Sequence, residues 1–314
     1  MEATSSSVAG VRPSLTKERT SRRSGEQAIK GLLLFAALLS VLTTTGIVIA
    51  LARETIDFFR EVPIADYLFG TKWTPLAGGD QQSFGVLELV HNTLYLTGLG
   101  LLVAVPLGLG SALYLAEYAS PRFRRIVKPI LEVLAGVPTI VFGYFALSFV
   151  TPLLKDIGFD LGTFNALGAG IVLGILVLPT IATVADDALT SVPGSLREGA
   201  FGLGASKVQV SLRVIFPAAL SGVVAALVLG ASRAIGETVI ILLAGGQAPE
   251  ITWDPTEAMQ SMAPFIAATS QSDIPAQSVE ALTIFAVGAT LFLMTLVLNL
   301  VAIRFVRRYR QVYE

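Results

Sequence analysis

Residues 161–185 read LGTFNALGAGIVLGILVLPTIATVA, 25 positions without an Asp, Glu, Lys or Arg. A helix needs about 20 predominantly apolar residues to cross a hydrocarbon core about 30 Å thick, so this stretch alone is long enough. Four more charge-free runs of at least 22 residues flank it: Gly31–Ala52, Leu89–Ala116, Val133–Leu154 and Ala281–Ile303. A sixth apolar region, Val214–Ala244, is interrupted only by Arg233 and Glu237. Of the 314 residues, 53% are hydrophobic and 14% charged, against about 25% charged in an ordinary soluble domain. A water-soluble bundle has no reason to strip its charges so often and for so long. The pattern predicts an all-α integral membrane protein with six transmembrane helices.

The cations give the topology. Arg12, Lys17, Arg19, Arg22, Arg23 and Lys30 precede the first span; Arg122, Arg124, Arg125 and Lys128 lie between the second and third. Arg197, Lys207 and Arg213 lie between the fourth and fifth, and Arg304, Arg307, Arg308 and Arg310 follow the sixth. The alternate loops hold only Arg53, Arg60, Lys72 and Lys155. Lys and Arg accumulate on the cytoplasmic side of a membrane, so both termini are expected in the cytoplasm.

Composition excludes several chemistries. The net charge of −1 gives no field for nucleic acid. With no cysteine, disulfides and thiolate metal sites are excluded, and the one histidine, His91, leaves little scope for a His-based metal site. No Walker-type glycine loop is present, so ATP hydrolysis is not expected of this chain. The first apolar run ends in Ala50-Leu51-Ala52, like a signal-peptidase site, but its 22 residues exceed the roughly 7–15 of a signal sequence core, and a retained helix is expected. Residues 1–29, rich in Ser, Thr and Arg, read as a disordered basic cytoplasmic tail; 30–310 read as a single transmembrane domain and 311–314 as a short cytoplasmic tail. Two loops on the outer side are long. Residues 53–86 suggest a short helix plus loop, and 245–280, with Trp253, Pro255 and Pro264, read either as a re-entrant or lid segment or as an inert connector.

Spans two, three and four each contain a proline, Pro106, Pro138 and Pro179, which breaks a helical hydrogen bond. Gly98, Gly100, Gly108, Gly110, Gly168, Gly170 and Gly174 cluster nearby and suit close helix packing, with pivoting during gating as the alternative.

The inner loop after span four is the most informative segment. Ser195-Leu-Arg-Glu198 has the spacing of a capping box, in which Ser caps the first amides and Glu reaches back to the cap residue. Gly202 and Gly204 suit a helix end, Ser206-Lys-Val-Gln209 is a second box, and Pro217 stands where the next span should begin. A helix-turn-helix at the membrane surface is predicted, and by itself it need have no partner.

The run Glu198-Gly199-Ala200, three residues, Gly204, nine residues, Val214, one residue, Phe216-Pro217 resembles the EAA loop of ATP-binding-cassette (ABC) importer permeases. Gly199 replaces an Ala, Val214 an Ile and Phe216 a Leu, with the spacing intact. Over roughly residues 30 to 310 the chain is similar to the phosphate permease subfamily, above all its PstC-type branch. The matching segments are Leu68-Phe-Gly-Thr-Lys-Trp73, Ala104-Val-Pro-Leu-Gly-Leu-Gly110, Leu115-Ala-Glu-Tyr118, Lys128-Pro-Ile-Leu-Glu-Val-Leu-Ala-Gly-Val-Pro138 and Gly230-Ala-Ser-Arg-Ala-Ile-Gly-Glu-Thr238. The resemblance implies a type I importer permease of MetI-like architecture in the bacterial cytoplasmic (inner) membrane. It implies that coupling helices at 195–209, with Ser195, Glu198, Gly199, Ala200, Gly204 and Pro217, dock a motor. The partners it implies are a second homologous permease (PstA-type), an ATPase dimer carrying ATP and Mg (PstB-type) and an extracytoplasmic phosphate-binding protein (PstS-type). Sulfate or molybdate as substrate, a secondary transporter or channel not driven by ATP, and a phosphate-sensing scaffold are the other readings.

Arg233 and Glu237 lie four residues apart, the spacing of one helix face. If the helix starts near Pro217, Arg233 lies ~24 Å along it, past the middle of the membrane. A lone Arg there costs at least ~2.5–3.5 kcal/mol on insertion scales, so it should face other helices or water. The resemblance points to Arg233 guiding phosphate with Glu237 moderating the attraction; the alternative is a permanent ion pair locking two helices. Glu132 reads as a packed or snorkelled carboxyl, and Asp186 and Asp187 as solvated.

Overall fold

The computed structural model describes residues 20–275 and 277–309, with the side chains of 20–25 and 309 outside that description. It is mostly helical, and it divides at Ala50/Leu51 into two units. The first contains most of helix α1, Thr20–Glu61, whose apolar side chains from Ile29 to Ile49 are exposed, as suits a lipid-facing segment. The expected disordered tail is corrected here: residues 20–29 are helical, while 1–19 and 311–314 lie outside the described residues.

In the second unit, α2 (Ile64–Phe69) and a two-residue antiparallel pairing of β1 (Trp73–Thr74) with β2 (Ser83–Phe84) fold the first long loop. Helix α3 (Leu87–Leu113) follows, widening into a π turn at Tyr114–Tyr118. Helix α4 (Pro121–Ala135) carries the basic cluster and has no buried residue. The third span is shorter than the charge-free run suggests: the chain breaks at Gly136, and Pro138 caps α5 (Thr139–Phe145), which runs through a π turn into α6 (Thr151–Asp156). Pro138 is therefore no internal kink, whereas Pro106 and Pro179 do lie inside helices, in α3 and in α7 (Ala166–Thr190).

After α8 (Gly194–Gly202) and α9 (Lys207–Val210) come a π turn at Ser211–Ile215 and α10 (Phe216–Ala218). The π turns at 146–150 and 211–215 each end two residues before a proline, Pro152 and Pro217, where a missing amide and a ring clash disfavour the normal ladder. A 71° bend then leads into α11 (Leu220–Ile235). Helix α12 (Met262–Ser270) and the long α13 (Val279–Tyr309) complete the chain. Among the described residues five helices are long and apolar enough to cross a membrane, and six if the bent pair counts as one span.

Three apolar clusters succeed one another through the second unit. The middle one packs α3, α5 and α7 with Ile240, Ile241 and Ala244. One end is closed by Phe58, Tyr67, Trp73, Met262 and Phe265, the other by Ala112, Leu189, Val192, Val210 and Val223. The glycines explain the closeness of α3 and α7: a Cβ on Gly100 would lie 2.9 Å from Leu173, on Gly108 2.9 Å from Ile181, and on Gly174 2.6 Å from Val103. Gly98 and Gly110 face open space instead, so packing does not account for them.

Candidate functional site

The hairpin formed by α8 and α9 is built by its caps, though not by those the spacing first suggests. Pro193 is extended and stands at the N-cap of α8, so Ser195 falls inside the first turn and makes no capping bond. The Ser195/Glu198 capping box is thus corrected. The reason lies in the Val192-Pro193 step, where proline holds the preceding residue away from helical geometry and sets the N-cap two residues before Ser195. Glu198 and Gly199 are exposed, while Ala200 packs toward the cluster beneath. At the other end of α8, Gly204 has φ +81°. Its amide donates to the Phe201 carbonyl (2.9 Å) and that of Ala205 to Ala200 (3.1 Å), the paired bonds of a Schellman stop. The second capping box is present as the spacing requires: Gln209 N–H donates to Ser206 Oγ and Ser206 N–H to Gln209 Oε1. Leu203, at the apex, is 91% exposed, and Phe201 and Val208 beside it are exposed too. Pro217 precedes the bend at Ala219 by two residues.

The second locus is the far end of α11. The helix stops at Ile235, and Gly236 and Glu237 lie beyond it. Arg233 and Glu237 therefore do not share a continuous helix face, and no ion pair joins them. Glu237 is buried and turns its carboxylate onto the amides of Val239 (3.1 Å) and Ile240 (3.2 Å), capping the next helical segment. The half-buried Arg233 donates one bond, 2.9 Å, to Thr180 Oγ1 on α7. Among the described residues no carboxylate pairs with it, so no ion pair locks it to another helix.

Sequence reasoning missed other contacts. Asp186 is wholly buried, not solvated: Arg124 Nη2 donates to both its oxygens (3.0 and 2.9 Å) and Lys128 pairs with it from the same helix. The hydrogen bond to Asp186 holds the Lys128 amine above its ordinary pKa. Arg124 and Lys128, four apart on α4, were the available signal. Glu132, by contrast, is exposed on α4. Residues 245–262 pack onto α3: buried Asn92 donates to the carbonyls of Pro249 and Gln260, and Thr93 Oγ1 accepts from Met262 N–H. His91 stacks on Tyr95 and meets Trp253 edge-on. Among the described residues no group of His, Asp and Glu could hold a metal.

Comparison with known proteins places these features in context. Residues 104–311 match the model of the binding-protein-dependent transport system inner membrane component. The chain is 30% identical to the phosphate transport system permease protein PstC of Pasteurella multocida over 84% of its length and 86% of the relative's. It is 29% identical to the probable ABC transporter permease protein YqgH of Bacillus subtilis, covering 95% and 96%. It is 31% identical to the phosphate transport system permease protein PstA 1 of Mycobacterium tuberculosis, covering 76% and 78%. Among solved structures it resembles a bacterial alginate ABC transporter chain (TM-score 0.63, 20% identity, covering 92% of this chain and 99% of that one). It also resembles a chain of the MetNI methionine transporter (TM-score 0.55, 19% identity, covering 72% and 95%).

Proposed function

The chain belongs to the binding-protein-dependent transport system inner membrane component family, and from that premise we propose that this ABC importer permease subunit translocates inorganic phosphate by alternating access. The observation that carries the substrate is Arg233, a guanidinium inside an apolar span, held by Thr180 and without a carboxylate partner among the described residues. A partly buried cation attracts an anion more strongly than one in bulk water, and permease relatives named for phosphate are 30% and 31% identical over much of the chain. The α8–α9 hairpin, with its exposed Leu203 apex, docks the ATPase at the cytoplasmic face, where both termini also lie. Hydrolysis takes place on that separate chain, a second permease completes the path, and a phosphate-binding protein delivers the anion from outside.

The test is phosphate uptake by the assembled transporter carrying Arg233→Gln. Uptake is expected to vanish while membrane level and ATPase assembly stay normal. Loss of the protein itself would make Arg233 a structural residue, and equal competition by sulfate or molybdate would move the substrate to another oxyanion. Uptake that persists without ATP would point to a secondary transporter.

A further inference from the structure

We propose that Arg197 and Glu117 form the joint through which the α8–α9 hairpin carries the core helices with it, both acting as positioning residues. The proposal rests on the reading of the hairpin as the ATPase dock. Arg197 lies on α8, but its guanidinium turns away from the exposed apex into the crevice between the ends of α3 and α7. Nε and Nη2 donate to Glu117 Oε1 at 3.1 and 2.9 Å, Nη2 also to the Leu189 carbonyl at 2.9 Å, and Nη1 to the Val192 carbonyl at 2.6 Å. The Glu117 side chain, in the π turn that ends α3, is only 7% exposed.

The other contacts of this limb are apolar, Leu196 and Ala200 packing partly buried against the cluster beneath. Helix α8 has no buried residue of its own, and among the described residues Arg197–Glu117 is the only ion pair between the hairpin and the rest of the chain. Both limbs continue covalently, α8 back to α7 through residues 191–193 and α9 through α10 into α11. What the chain does not supply is a tie from α8 across to the end of α3, and that tie is Arg197–Glu117. The charged tie reaches two helices at once, and these two are interlocked at Gly100, Gly108 and Gly174. A guanidinium bonded to a carboxylate and two carbonyls is directional as well as strong, so a push on α8 becomes a displacement of α3 and α7 together. Without it, α8 can tilt about Pro193 while the core stays in place.

The test uses the complete transporter, both permeases with the ATPase dimer, in proteoliposomes. Hydrolysis, phosphate uptake and crosslinking of a Val208→Cys reporter, an exposed helical position of the hairpin, to the ATPase are measured on one preparation. With Glu117→Ala, hydrolysis per assembled complex is expected within about twofold of the parent and uptake about tenfold or more lower, so that more ATP is spent per phosphate moved. Glu117→Gln, whose amide oxygen can still accept from Arg197, should be intermediate. Unchanged uptake with Glu117→Ala overturns the joint. So does a fall of uptake and hydrolysis in the same proportion, which is what a purely structural pair predicts. A missing crosslink in the parent overturns the docking reading and the joint with it, whereas a crosslink with a normal ATP-to-phosphate ratio in Glu117→Ala overturns the joint alone.

Discussion

One nitrogen of Arg124 bonds both oxygens of Asp186, at 3.0 and 2.9 Å, and the carboxylate it holds is wholly buried. This ties α4, a basic surface helix without a buried residue, to the last turns of α7 just before the α8–α9 hairpin. A buried charge is tolerable only while paired, and Lys128 supplies a second cation to the same carboxylate.

That redundancy predicts strong non-additivity. Arg124→Gln or Lys128→Gln alone leaves Asp186 one partner and should cost no more than about 1–1.5 kcal/mol. The double variant strands the carboxylate and should cost about 3–5 kcal/mol, more than the sum of the two. Denaturation of the purified protein would show it, and additive losses would mean that Asp186 reaches water.

The same clamp sets a pH dependence. Its hydrogen bond to Asp186 raises the Lys128 pKa above the ordinary 10.5. A cation whose folded pKa is raised contributes stability that is fully present below the unfolded value and lost as pH climbs through the folded one. The Tm difference between parent and Lys128→Met should thus be flat from neutral pH to about 10 and shrink above it. A difference that shrinks on acidification instead would contradict this assignment.

The hairpin caps separate two serines that look alike in sequence. Ser206→Ala removes a real cap and should cost about 0.5–2 kcal/mol. Ser195→Ala removes none and should fall within about 0.5 kcal/mol of the parent. Gly204→Ala meets open space but must adopt φ +81°, a backbone penalty of roughly 1–2 kcal/mol. Equal effects at Ser195 and Ser206 in thermal denaturation would place the start of α8 wrongly.

What the sequence made legible follows from range. Charge-free runs report the solvent around each segment, so the apolar helices and the hairpin that follows α7 could be read from local pattern. Gly204 and the Ser206 box were legible because a cap needs only neighbours. The start of α8 was misjudged because Pro193 competes with Ser195, and the local signal does not rank them. Asp186 with Arg124 and Glu117 with Arg197 are separated by 62 and 80 positions, and nothing local marks one Asp as buried and its neighbour as solvated. The break at Gly236 stayed hidden because the apolar run continues through it, so a four-residue spacing wrongly put Arg233 and Glu237 on one face.

Helix packing divides the glycines into two sets. Gly174→Val should prevent accumulation of folded protein, since even a Cβ there would sit 2.6 Å from Val103 and 2.7 Å from the Gly100 carbonyl, and overpacking costs about 1–3 kcal/mol or more. Gly98→Ala and Gly110→Ala meet nothing and should accumulate normally. If either loses uptake at normal membrane level, that face of α3 works against a partner and not within this chain.

The separation of Arg233 from Glu237 turns the moderating role into a kinetic question. Glu237 is spent on the amides of Val239 and Ile240, so it acts on an anion at Arg233 only through its field. Glu237→Gln keeps an oxygen for both amides and removes only the charge. The cap should survive and the protein should accumulate, while the site becomes more positive. An interaction that tightens the bound state without helping the anion leave lowers KM and kcat together, so uptake should show both falling, each by about two- to tenfold. Glu237→Ala, in contrast, loses the cap and about 0.5–2 kcal/mol of stability. If Glu237→Gln leaves both constants unchanged, the carboxylate is a cap and nothing more, and Arg233 meets the anion unmoderated.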